Sequence, residues 1–167
     1  MYNRLTESDI VKIQEEIEYR KLIVRKEAIE AVKEARAHGD LSENFEYYAA
    51  KKDKNKNESR IRYLENMIKT AEIMEDHSTK EEAGINNTVS IYFEEEDETE
   101  KFKLTTTIRE NSLQGLISIE SPLGKAILGH KAGDRVYVKV REDYGYYVII
   151  KEIEKTVDDS NDRIRSY

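Results

Sequence analysis

Gly39-Asp40-Leu41-Ser42-Glu43-Asn44 decides how this chain folds, because it sets a turn glycine and two carboxylates between two long helical patterns. His38 belongs to the last turn of the first pattern, where a partly cationic side chain suits the helix dipole. Gly39 suits the left-handed residue that ends such a helix. The chain therefore reverses at the acids. Asp40 followed three residues later by Glu43 is also the spacing of a capping box, so capping and chemistry are both open readings of this pair.

The arms on either side are long. After the turn, Tyr47, Ala50, Lys54, Asn57, Ile61, Leu64, Ile68 and Ala71 follow steps of three and four residues, the seam of a coiled coil with polar residues at its middle. Before the turn, Thr6 reads as an N-cap. Ile10, Ile13, Ile17, Val24, Ala28, Ala31 and Ala35 form a matching stripe, widened by Leu22, Ile29 and Val32. Two arms of about 30 residues would make a hairpin about 45 Å long. The apolar positions hold the arms together and carry no chemistry, and Lys54 and Asn57 are read as register-setting residues.

Residues 77–87 break this pattern and read as a linker. Strand signals follow at 88–93, 101–108, 116–119, 135–140 and 146–153, with the acidic run 94–98 as a solvated hairpin loop. A short helix over 122–128 fits between them, with Ser121 as N-cap, Pro122 at the first position and Gly129 as its stop. The expected organisation is a hairpin over 1–76, a linker over 77–87, a β-rich domain over 88–155 and a polar, frayed tail over 156–167. The fold class is thus α+β, an N-terminal antiparallel coiled-coil helical hairpin followed by a small β-rich domain.

Composition excludes several classes. The 167 residues contain no cysteine, which rules out disulfides, thiolate zinc sites and a cysteine nucleophile. No stretch is apolar enough to span a bilayer, and Met1-Tyr2-Asn3-Arg4 lacks the apolar core of a signal peptide, so a cytosolic protein with no membrane partner is expected. Both halves contribute to the net charge of −7, so neither reads as an autonomous nucleic-acid binder.

Two blocks carry a family resemblance. Ala35-Arg36-Ala37-His38-Gly39-Asp40-Leu41-Ser42-Glu43-Asn44, with Glu46-Tyr47 and Ala49-Ala50-Lys51, resembles the signature of the Gre transcript-cleavage factors of bacterial RNA polymerase, GreA type. Ile117-Ser118-Ile119-Glu120-Ser121-Pro122-Leu123-Gly124-Lys125-Ala126-Ile127-Leu128-Gly129 resembles the family's second block. The likeness runs from Leu5 to about Ile153. Phe45 departs from it, standing where the family usually has a small residue, and the stretch 53–59 is more polar than usual.

The resemblance implies an FKBP-like β domain that docks on polymerase while the hairpin enters the secondary channel, a monomer with bacterial RNA polymerase and the backtracked nascent RNA as partners. It implies that Asp40 and Glu43 assist cleavage of that RNA by polymerase, with no metal or cofactor of the chain's own. Two-metal phosphodiester hydrolysis needs a second, weakly held Mg²⁺ in the polymerase active site, which added carboxylates would help to bind. Arg36 and Lys51 are the expected RNA-phosphate contacts, and Tyr47 and Tyr48 are possible stacking groups, Tyr47 being better explained by packing. Ser121, Pro122 and Leu123 are expected to dock on polymerase. The resemblance also leaves open a channel-plugging inhibitory paralogue, and the β domain a prolyl isomerase.

Overall fold

The computed structural model describes residues 4–39, 44–156 and 158–166. The chain divides into two compact units, one over Ile10–Ala71 and one that joins Arg4–Asp9 to the chain from Glu72 onward. No helix among the described residues is long and apolar enough to cross a membrane.

The first unit is an antiparallel helical hairpin. Its first arm runs through α1 (Glu7–Tyr19), a π-helical segment (Arg20–Val24) and α2 (Arg25–Arg36), and its second is α3 (Phe45–Lys69). Thr6 caps α1 as expected, its hydroxyl accepting from the Asp9 amide at 3.2 Å while the Asp9 carboxylate accepts from the Thr6 amide at 3.0 Å. The α3 seam is close to the one read from sequence: Tyr47, Asn57, Ile61 and Leu64 are buried, joined by Arg60 and Met67. The first arm differs. Leu22 is 61 % exposed and Ile29 36 % exposed, so they do not widen the seam. The π segment inserts one extra residue per turn there and rotates the stripe away from its α-helical register.

Polar side chains hold that segment. Asn57 accepts from the Arg20 guanidinium at 3.0 Å and donates to the Arg20 carbonyl at 3.3 Å, which also receives the Arg25 amide. This is the register-setting role expected of Asn57. Arg25 grips Glu58 through two bonds of 2.7 and 2.8 Å, and buried Arg60 donates to Glu16 at 2.9 Å. Burial alone would raise the Glu16 pKa, but the bonds and charges of Arg60 and Arg20 outweigh it and hold the carboxyl below its ordinary 4.5. The ionised form is therefore favoured by folding. Its contribution is complete above the unfolded-state value and is lost as pH falls through the lower folded value. Acid titration of thermal stability should show a steeper loss below about pH 4.5 in the natural protein than in Glu16→Gln, and parallel curves would remove Glu16 from the account.

The second unit is built on a five-stranded mixed sheet of order β5-β4-β3-β7-β6. Its strands are β3 (Thr88–Phe93), β4 (Glu98–Thr105), β5 (Leu116–Ser118), β6 (Arg135–Arg141) and β7 (Tyr144–Glu154). Neighbours are antiparallel except β4 and β5. The short helix α4 (Pro122–Ile127) adds Ile127 to a core of Val89, Ile91, Leu104, Val138, Val148 and Ile150. The strand expected at 101–108 starts and stops three residues earlier, because Thr107–Arg109 form a 3₁₀ turn.

Three features differ from the sequence reading. Residues β1 (Arg4–Leu5) and β2 (Glu72–Ile73) pair in parallel, which no local pattern announced. The stretch read as a linker enters the core, with Ala83 and Ile85 buried and Lys155 donating to Ser78, Glu82 and Asn87. The tail does not fray along its described length. Asp162 is buried against Arg109 at 2.8 Å, Lys103 meets it at 3.1 Å, and the Arg165 amide donates to the Ile108 carbonyl. Arg109 also bonds Asp9 and Asn86, and Asp9 accepts from Thr106 at 2.6 Å, so one wholly buried cation joins the start of α1, the core loop and the tail.

Candidate functional site at the hairpin tip

Asp40 and Glu43, the expected catalytic residues, lie outside the described residues, as do Leu41 and Ser42. Their flanks are described. Gly39 has a φ of 126°, a value that L side chains rarely adopt, which accounts for glycine at the point where the chain leaves α2. On the other side Asn44 is the N-cap of α3. Its side-chain oxygen accepts from the Tyr47 amide at 3.0 Å, and its side-chain nitrogen donates to the Ala35 carbonyl at 2.6 Å. One amide side chain thus starts the second arm and ties it to the end of the first. The capping task at α3 belongs to Asn44.

Of the expected RNA-contact residues, Arg36 meets this clamp through Tyr47. Arg36 places its guanidinium 5.5 Å from the centre of the buried Tyr47 ring. A hydrogen bond from Arg36, then the Lys51 charge, draw the Tyr47 phenol below its ordinary pKa against the effect of burial. Arg36 is surface-exposed but held in place, and Lys51 is exposed on α3. His38 lies 2.8 Å from Glu46 across the turn. Tyr47 is a packing residue, as expected. Tyr48 is different, being 51 % exposed with its ring edge-on to Tyr47.

In the second unit, Ser121 is the N-cap of α4, accepting from the Gly124 amide at 3.1 Å and donating to the Ser118 carbonyl at 2.6 Å. A Cβ on Gly124 would lie 2.0 Å from that same carbonyl, which explains the glycine inside this helix. Pro122 is exposed, whereas Leu123 packs against the core. The outward surface of this segment is therefore Pro122 with Lys125, and Leu123 supports it from within.

A two-helix hairpin clamped by Asn44, on a chain that also carries a small mixed-sheet domain, defines the class of fold. Two family descriptions cover nearly the whole chain: "Transcription elongation factor, N-terminal" matches residues 3–73, and "Transcription elongation factor, GreA/GreB, C-term" matches residues 78–155. Transcription elongation factor GreA of Thermoanaerobacter pseudethanolicus is 41 % identical over 137 residues, covering 81 % of this chain and 87 % of that relative. GreA of Streptococcus gordonii is 39 % identical over 153 residues, covering 91 % and 95 %. Among solved structures, GreA factor homolog 1 of Thermus thermophilus aligns over 92 % of this chain and 99 % of its own, at 24 % identity and a TM-score of 0.42. The chain belongs to the GreA/GreB family of transcription elongation factors and is of the GreA type.

Proposed function

We propose that this protein binds bacterial RNA polymerase, inserts its hairpin into the secondary channel and stimulates the polymerase's own cleavage of backtracked RNA. The protein is not itself a nuclease in this reading. The observation that supports it best is the clamp beside the acids in sequence: Asn44 bonds the Tyr47 amide and the Ala35 carbonyl, and so ties the start of the second arm to the end of the first. Rigidity matters because a misplacement of about 1 Å at a reacting centre costs about a hundredfold in rate.

Asp40 and Glu43 are hard oxygen donors, the kind that Mg²⁺ prefers, and they fit an ion shared with polymerase carboxylates. When bound, such an ion supplies Lewis acidity for phosphodiester hydrolysis. The side chains of this protein do the remaining work. The two carboxylates accept hydrogen bonds from the attacking water and orient it, while Arg36 and Lys51 hold phosphates of the extruded strand. Pro122 and its neighbours Ser121 and Leu123 form the turn that docks on polymerase.

The test is a stalled elongation complex carrying a labelled, backtracked transcript. Adding the protein should shorten the RNA from its 3′ end, whereas the protein alone should leave naked RNA intact. Slowed nucleotide addition without a cleavage product would make it a channel plug instead, and degradation of naked RNA would give the protein an active site of its own.

A further inference from the structure

We propose that Phe45 and Tyr48 form a ledge on which an unpaired base of the extruded RNA stacks, so that this pair sets which phosphodiester faces the acids. The inference rests on the function proposed above and adds a contact to it. Phe45 is the first residue of α3, two positions after Glu43, and is 85 % exposed. Tyr48 stands one helical turn further on the same face, and Lys52, also exposed, continues the line one turn beyond.

A single exposed aromatic is ordinary. The arrangement around this pair is more specific. Tyr48 is braced edge-on by Tyr47 at 5.5 Å between ring centres, and Tyr47 is in turn held by Arg36. The Asn44 carbonyl accepts the Tyr48 amide at 3.2 Å, and the Asn44 side chain fixes the helix start. Two aromatic faces on a rigid mount, followed by a cation, have the chemistry that binds single-stranded RNA: bases stack on aromatic rings and phosphates meet lysine. An apolar protein wall would use the rings but leave Lys52 without a purpose, so the base is the better occupant.

Two measurements test the ledge. In the first, 2-aminopurine replaces the extruded 3′ base, and the protein carries Asp40→Asn and Glu43→Gln so that it does not stimulate cutting while the signal is read. Fluorescence should fall on binding, and adding Phe45→Ala and Tyr48→Ala should abolish the fall. Alanine is the best helix former, so an exposed first-turn position tolerates it.

The second measurement compares cleavage of a backtracked adenine with cleavage of an abasic residue at the same position. Phe45→Ala should slow the first about tenfold, as expected for losing a stacked base, and leave the second unchanged. Equal slowing of both would show that Phe45 presses on protein, and it would overturn the proposal, as would fluorescence that does not respond to the substitutions. Absence of cleavage by the unaltered protein would count against the proposed function, while the fluorescence arm, which needs no cleavage, would still decide the stacking.

Discussion

Asp40→Asn and Glu43→Gln are each expected to slow stimulated RNA cleavage by about two to three orders of magnitude, the usual loss when one charged transition-state contact is removed. Both substitutions keep the shape of the side chain and remove its charge. The structure separates this outcome from a folding defect, because the α3 cap is Asn44, bonded to the Tyr47 amide and the Ala35 carbonyl. That cap is what starts the helix at Phe45. Thermal unfolding and polymerase competition should therefore be unchanged in both variants while the rate collapses. Full activity in both would reduce the acids to bystanders of the turn.

Asp9→Asn should destabilise the second unit by about 3–5 kcal/mol, the cost of leaving one partner of a buried ion pair uncompensated. Asp9 and Arg109 are both fully buried, and the carboxylate is satisfied by the Arg109 guanidinium, the Thr106 hydroxyl and the Thr6 amide. An asparagine offers one oxygen where the carboxylate offers two, and it leaves the cation with less compensating charge. Arg109 retains Asp162, so the loss should sit toward the lower end of that range. Urea unfolding followed by tyrosine fluorescence measures it. Replacing Arg109 as well, Asp9→Leu with Arg109→Met, should not recover the loss, since Asp162 and Asn86 would then lose the guanidinium they bond. A change of less than about 0.5 kcal/mol in Asp9→Asn, the range of ordinary surface substitutions, would contradict this account of the tail and of the start of α1.

What could be read from the sequence was governed by short-range rules. Thr6 and Ser121 announce their helices through a hydroxyl and a backbone amide three residues apart, and the Tyr47 to Leu64 seam follows from helical spacing alone. The Arg109 network was invisible for the opposite reason. Asp9 is 100 residues from Arg109, and each charge looks like a solvated one until the fold brings them together. The first arm differs for a third reason: its stripe assumes α-helical spacing, and the π segment at Arg20–Val24 turns Leu22 outward. A cross-hairpin hydrogen bond to the Arg20 carbonyl accompanies that change, and Asn57, legible in the sequence as a register-setting residue, supplies it.

The candidate site was legible to an uneven degree. The acid pair is marked in the sequence by its surroundings, a helix-ending His38 and Gly39 between two long helical patterns, while its spacing alone is also that of a capping box. Leu123 was harder to place. A leucine in a short amphipathic helix reads equally as a docking or a packing residue, and only the core contacts assign it inward. Phe45 carried a signal that composition and periodicity could not interpret, since exposure at a helix start is known only once the helix start is known.

The central claim is that the tip acids act inside the polymerase centre and not on their own. The most direct measurement is the Mg²⁺ concentration that gives half-maximal cleavage in a backtracked complex, compared between the natural protein and the Asp40→Asn/Glu43→Gln double variant. The natural protein should lower that concentration and the double variant should not, each tenfold difference corresponding to about 1.4 kcal/mol of added metal binding. An identical Mg²⁺ requirement for the two proteins would contradict the claim.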